Sequence, residues 1–119
     1  MRRALALLVA LTATACSSAQ ATGAVVLDEF SIDLPVLSAA DDVVLHVRND
    51  GQFPHTLVIA DELGRVLVAS DPIEPGERTS IPVDLDAGTY QFSCRIVVGT
   101  PDGGISDHFE LGMVADLDL

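Results

Sequence analysis

No lysine occurs anywhere in the 119 residues, and six arginines are the only strong bases set against 18 acidic side chains. Arg2 and Arg3 stand at the extreme N-terminus, so beyond residue 15 only Arg48, Arg65, Arg78 and Arg95 remain, a formal charge of −14 (4 − 18). A field of that sign argues against nucleic acid as a partner and against direct adhesion to an anionic membrane surface. It favours a basic partner, or it serves solubility alone. Cysteine and histidine are scarce too, with two and three copies. No segment keeps a helical period past the next Gly or Pro, and neither an internal repeat nor a second domain can be read.

The N-terminus is present for export. Met1-Arg2-Arg3 is a short basic region, Ala4 to Ala10 is apolar, and Ala13-Thr14-Ala15 is a run of small residues. That is the pattern of a secretory signal peptide over residues 1–15, too short to stay as a spanning helix. Cys16-Ser17-Ser18 follows. The small run with Cys16 resembles the lipobox of bacterial lipoproteins, in which cleavage leaves an acylated cysteine as the first mature residue, although Ala13 stands where that motif prefers Leu. The other reading is ordinary cleavage nearby, with Cys16 removed or left free. If Cys16 is acylated or removed, Cys94 has no partner, and an unpaired thiol in an oxidising compartment has two explanations, metal ligation or quiet burial in a core.

Residues 16–23 are small and polar and read as a flexible tether, which leaves 24–119 as one domain, large enough to bury a core without staples. Its composition favours strands. Short apolar runs bounded by turn residues recur at Val25–Leu34, Asp42–Asn49, Thr56–Ala60, Arg65–Ala69, Arg78–Leu85, Gly88–Arg95, Ile105–Leu111 and Val114–Leu119. Val43, Leu45 and Val47 share one face of their run, opposite Val44, His46 and Arg48; Tyr90, Phe92 and Cys94 likewise lie together. Asp61-Glu62-Leu63-Gly64 is a short hairpin loop and Asp71 to Gly76 a longer turn. About eight strands of this kind predict an all-β sandwich or barrel.

The chemistry gathers late in the chain. Cys94 ends a strand, His108 follows after thirteen residues, and Met113 after four more; His55 arrives earlier, in QFPHTLVI, held stiff by Pro54. Thiolate, imidazole and thioether are donors that copper prefers, and two His with one Cys in a plane and a weak axial Met make the donor set of a blue-copper site. Taken singly, each residue has a blander reading: a surface or satisfied histidine, a core methionine, a buried thiol. Together, the turn N-x-G-x-x-P-H beginning at Asn49, then G-T-Y-x-x-x-C from Gly88 and H-x-x-x-G-M from His108, in that order, resemble the cupredoxin family.

The resemblance implies a Greek-key β-sandwich that binds one type 1 copper through His55, Cys94, His108 and Met113 and carries single electrons. Gly112 would allow the tight turn beside the axial sulfur. Thirteen residues between cysteine and second histidine exceed the family's usual spacing, so Arg95 to Asp107 is expected to form an extra hairpin around Gly103-Gly104. Thr56 stands where the family often has an Asn tying the ligand loops together, and offers only a hydroxyl. His46, on the outward face with Arg48, is expected at the surface. Copper oxidases and nitrite reductases resembling this family need several further histidines, so an enzyme with its own substrate site is not expected. The expected protein is a monomer, exported, tied to the cell membrane through its lipid alone and facing the periplasm or the cell exterior. Its redox partner would be a protein with a basic docking surface, meeting an exposed edge of His108. Ile96, Val97 and Val98 either furnish an apolar patch there or continue the strand into the core. Two alternatives to electron transfer stay open: copper storage or delivery through the same donors, and a metal-free interaction module.

Overall fold

Alternating side chains decide which way each strand faces, and burying one Val, Leu or Phe is worth about 1.5–3 kcal/mol. In β3 (Ala40–Asn49) this drives Val43, Leu45 and Val47 inward, while His46 and Arg48 stay in solvent. The computed structural model describes residues 21–119; the expected leader, and Cys16 with it, lie outside the described residues. Around β3 stand β1 (Thr22–Asp28), β2 (Ser31–Asp33), β4 (Val58–Asp61), β5 (Val66–Ala69), β6 (Arg78–Leu85), β7 (Thr89–Ser93), β8 (Val97–Gly99), β9 (Ile105–Asp107) and β10 (Val114–Asp118). One sheet has the order β2-β1-β3-β6 and the other β10-β7-β4-β5. Their inner faces meet in one core, Leu27 and Leu45 from the first sheet and Ile59 and Phe92 from the second being fully buried. The chain changes sheet after β3, β5 and β6, and β1 runs parallel to β3 with Val25 beside Val47. This is the all-β sandwich expected from the sequence, with the cupredoxin Greek-key arrangement.

Three details differ from the sequence reading. The run Val25–Leu34 is two strands, because the chain turns back at Glu29-Phe30 and pairs Leu27 with Ile32. The tether was expected to reach Gly23, but Thr22 and Gly23 already pair with Val44 and Leu45, and the Val44 N–H bonds the Ala21 carbonyl at 2.9 Å. The strand expected over Ile105–Leu111 stops at Asp107, whose carboxylate accepts the Phe109 and Glu110 N–H groups (3.0 and 3.3 Å) and folds the chain into a turn. The extra hairpin does form: β8 and β9 make a small sheet of their own, Val98 opposite Ser106. The β1–β2 turn, the β3–β4 connection and the long path from β7 to β10 all converge on one end of the sandwich.

Candidate metal centre

His55 is fixed by its backbone before its ring is considered. Its N–H bonds the Ile73 carbonyl (3.1 Å) and its carbonyl accepts the Ile73 N–H (2.7 Å), an isolated bridge between two loops. Asn49, fully buried at the end of β3, ties the same loop internally: its amide donates to Phe53 O (2.7 Å) and Ile73 O (2.8 Å), and its oxygen accepts the Gly51 N–H (2.8 Å). Every polar atom of that amide is thus used where water is excluded, which makes the loop's shape expensive to change.

Cys94 and His108 are placed by neighbouring backbones. The Cys94 N–H bonds the Met113 carbonyl at 3.1 Å, the His108 N–H bonds the Ile96 carbonyl at 3.0 Å, and the Met113 N–H bonds the His108 carbonyl at 3.0 Å. Gly112, at φ 110°, lets the chain reverse between His108 and Met113. Beside this turn the Arg95 guanidinium lies 3.8 Å above the centre of the Phe109 ring while its Nε reaches Ser93 Oγ at 3.1 Å.

The three donors come together. His55 Nδ1 and His108 Nδ1 are 3.2 Å apart, and Cys94 Sγ lies 3.9 Å from the first and 3.6 Å from the second. All three side chains are buried, and they are the one group of three or more His, Cys, Asp or Glu donors gathered closely enough to hold a metal among the described residues. A point equidistant from the corners of such a triangle lies about 2 Å from each, an ordinary metal–imidazole distance. Two borderline nitrogens and one soft sulfur at that spacing suit copper. Burial pushes both imidazoles below the ordinary histidine value of 6.5; at His55 the Glu29 carboxylate opposes that effect, and at His108 the neighbouring His55 adds to it. Neutral imidazole is the form that donates to a metal.

Met113 is fully buried, its backbone bonded to both Cys94 and His108. His46 stands apart, exposed on β3, with Nδ1 3.0 Å from Ser80 Oγ. Two expectations are corrected. His108 does not present an open edge: it is 3% exposed, with the Phe30 ring packed edge-on at a centroid distance of 5.0 Å. Thr56 offers more than a hydroxyl. Its N–H and Oγ both point at Cys94 Sγ (3.4 and 3.7 Å), and the same Oγ accepts the Arg95 N–H at 3.1 Å, so it ties the two ligand segments together. Val97 and Val98 are exposed at 57% and 46%, whereas Ile96 packs against the core.

Two contributors were not legible in the sequence. Glu29 and Phe30, at the β1–β2 turn, reach His55 and His108 respectively: Glu29 Oε1 is 3.3 Å from His55 Nε2, and Phe30 covers the other ring. Neither belongs to a ligand motif, and His55 comes 26 positions after Glu29; only the acidic break Asp28-Glu29 inside an apolar run marked the place.

Similarity to known proteins agrees with the fold. In the solved structures the chain is similar to dithionite-reduced auracyanin from the photosynthetic bacterium Roseiflexus castenholzii, with 17% identity over 85% of this chain and 98% of that one and a TM-score of 0.62. A purple cupredoxin from Nitrosopumilus maritimus matches at 16% identity over 83% of this chain and 98% of that one, with a TM-score of 0.45. No curated protein matches the sequence. The family model described as a cupredoxin-like domain matches residues 2–105, ending before His108 and Met113, whose placement therefore rests on the geometry above. With most of its length inside that match, the chain belongs to the cupredoxin-like domain family.

Proposed function

We propose that this chain is a lipid-anchored type 1 copper protein that carries single electrons at the cell envelope. The observation that carries the reading is the buried triangle of His55 Nδ1, His108 Nδ1 and Cys94 Sγ. Copper, when bound, supplies a one-electron couple; the protein's part is to hold the donors still and keep water away. Asn49 and the Ile73 bridge immobilise His55, the Gly112 turn immobilises His108, and Thr56 directs two donors at the sulfur, a setting that limits rearrangement between oxidation states. Met113, with its main chain bonded to both neighbouring ligand residues, is the proposed weak axial ligand. The chain's only other histidine, His46, is exposed and engaged with Ser80, so the described residues hold no second cluster of donors, and the proposed role is carriage without an enzymatic reaction.

The proposed anchor, location and partner rest on the sequence. Residues 1–15 would direct export, Cys16 would carry the lipid, and the monomeric domain would face the periplasm or cell exterior, its acidic surface suited to a basic redox partner.

Two preparations test the two parts. The copper-loaded soluble domain is expected to show an intense visible thiolate-to-copper(II) charge-transfer band, lost in Cys94→Ser and kept in Met113→Leu, whose reduction potential rises. A band unchanged in Cys94→Ser refutes the site. Full-length protein is expected to stay with membranes after a salt wash, whereas Cys16→Ser is expected to be unprocessed or soluble; wild-type protein released by salt refutes the anchor. Copper passing readily to a mild chelator would instead favour storage or delivery.

A further inference from the structure

Glu29 lies on the far side of His55 from the sulfur, and its position is built. Oε1 accepts the N–H groups of Gln52 and Phe53 at 2.7 and 2.8 Å and stands 3.3 Å from His55 Nε2. That last contact is within ion-pair range but lacks the alignment of a hydrogen bond, so the buried Nε2 is otherwise without a partner. The space for the carboxylate comes from Gly51, where a Cβ would collide with Glu29. Burial pushes the Glu29 carboxyl up, but the Phe53 and Gln52 N–H groups outweigh it and hold it below the ordinary glutamate range. An anion is thus fixed behind one imidazole by two main-chain N–H groups.

We propose that Glu29 is a positioning residue for the metal centre: its carboxylate holds the proton of His55 on Nε2, leaves the Nδ1 lone pair facing Cys94 and His108, and biases the site toward the more highly charged copper(II). A carboxylate on the remote nitrogen of a ligating histidine fixes tautomer and ring orientation and raises ligand basicity, and removing such a group commonly costs about 10–100-fold in metal affinity. The added negative charge interacts more strongly with a divalent than with a monovalent ion, so the loss falls mainly on the oxidised state. This rests on the copper reading, but its first consequence does not need copper.

The test uses Glu29→Gln, which keeps an oxygen for the Gln52 and Phe53 N–H groups and removes the charge. In the metal-free soluble domain, imidazole nitrogen NMR is expected to show His55 as the Nε2–H tautomer in wild type and as a mixture in the variant. In the copper-loaded domain, the preference for copper(II) over copper(I) is expected to fall about tenfold, equivalent to a potential about 59 mV higher. Gly51→Ala, which displaces the carboxylate without deleting it, should shift both readouts in the same direction; Phe30→Leu, at the other histidine, should leave the His55 tautomer alone. An unchanged tautomer together with an unchanged copper(II)/copper(I) preference in both Glu29→Gln and Gly51→Ala overturns the proposal. If wild type gives no charge-transfer band, the copper reading fails separately, and the metal-free tautomer result still decides whether Glu29 orients His55.

Discussion

The two segments that deliver the histidines are built in opposite ways. His55 arrives on a short connection after β3 in which a single buried amide, Asn49, satisfies two carbonyls and one N–H, and a carboxylate closes the far side of the ring. His108 arrives on a long excursion that carries its own hairpin, with Ile105 76% exposed and Val97 and Val98 half in solvent. The first segment is organised inward, by buried polar groups each of which needs its partner. The second is organised outward and touches the core mainly through Ile96 and the short turn after Asp107. One end of the sandwich therefore combines a socket tied by buried polar groups with a solvent-exposed hairpin.

The largest effect is expected from breaking the rigid side. Asn49→Ala leaves the Phe53 carbonyl and the Gly51 N–H without the amide and the Ile73 carbonyl with only the His55 N–H. Each unsatisfied buried group costs about 1–3 kcal/mol, partly recovered by relaxation, so a loss of about 3 kcal/mol is expected. On the outward side, Ile105→Thr is expected to cost under about 0.5 kcal/mol. Urea denaturation of the two metal-free variants measures the contrast, and similar midpoints would show that the hairpin is as integral to the fold as the socket.

A smaller effect comes from the histidines themselves. In the folded chain both rings sit below the ordinary value of 6.5, chiefly through burial, so between the folded and unfolded values the unfolded chain binds more protons. The sign follows: the metal-free protein keeps this contribution above about pH 6.5 and loses it as pH falls below that value. Against wild type, His108→Asn should lose less stability between about pH 7.5 and pH 5. The difference between the two proteins isolates the ring from the background of carboxylates. Parallel pH dependences would mean that His108 is not held neutral.

How much of this was legible depends on how local the cause was. Val43, Leu45 and Val47 announce β3 by alternation, and Tyr90, Phe92 and Cys94 announce β7 and the direction of the thiol, because period-two patterning is written in adjacent residues. The hairpin at 61–64 is announced by its own turn chemistry, Asp61 accepting the N–H groups of Leu63 and Arg65. The order of His55, Cys94 and His108 could be read because donor chemistry limits the candidates. The turn at Glu29-Phe30 could not: it has neither Gly nor Pro, and its meaning lies in contacts 24 and 26 residues away with Phe53 and His55, and still further away with His108. Thr56 was underrated for the same reason. A side chain's type predicts which bonds it can make, but only the folded chain shows that the Thr56 N–H also faces the sulfur.

The smallest effect on stability should come from Val98, and it probes what the outward segment is for. Val98 pairs with Ser106 across the small hairpin and is 46% exposed, so little apolar area is lost from water on replacing it, and the hairpin's hydrogen bonds run through the main chain. Val98→Asp should therefore change unfolding free energy by no more than about 0.5 kcal/mol and leave the copper spectrum in place. Its effect should appear in exchange with a basic redox protein. An apolar patch excludes water at the centre of a contact, and a charge placed there must be desolvated on docking. Asp102 and Asp107, in the hairpin turn and at its end, supply a rim of the sign that a basic partner would meet. Electron exchange should slow in Val98→Asp, and raised ionic strength should slow association for wild type and variant alike, because the screened rim is common to both. With His108 covered by Phe30, no open ring edge is offered, which leaves the apolar patch as the contact that this variant tests. If Val98→Asp unfolds the domain or strips its copper, the hairpin belongs to the socket after all; if exchange proceeds at the wild-type rate, the partner docks elsewhere on the acidic surface.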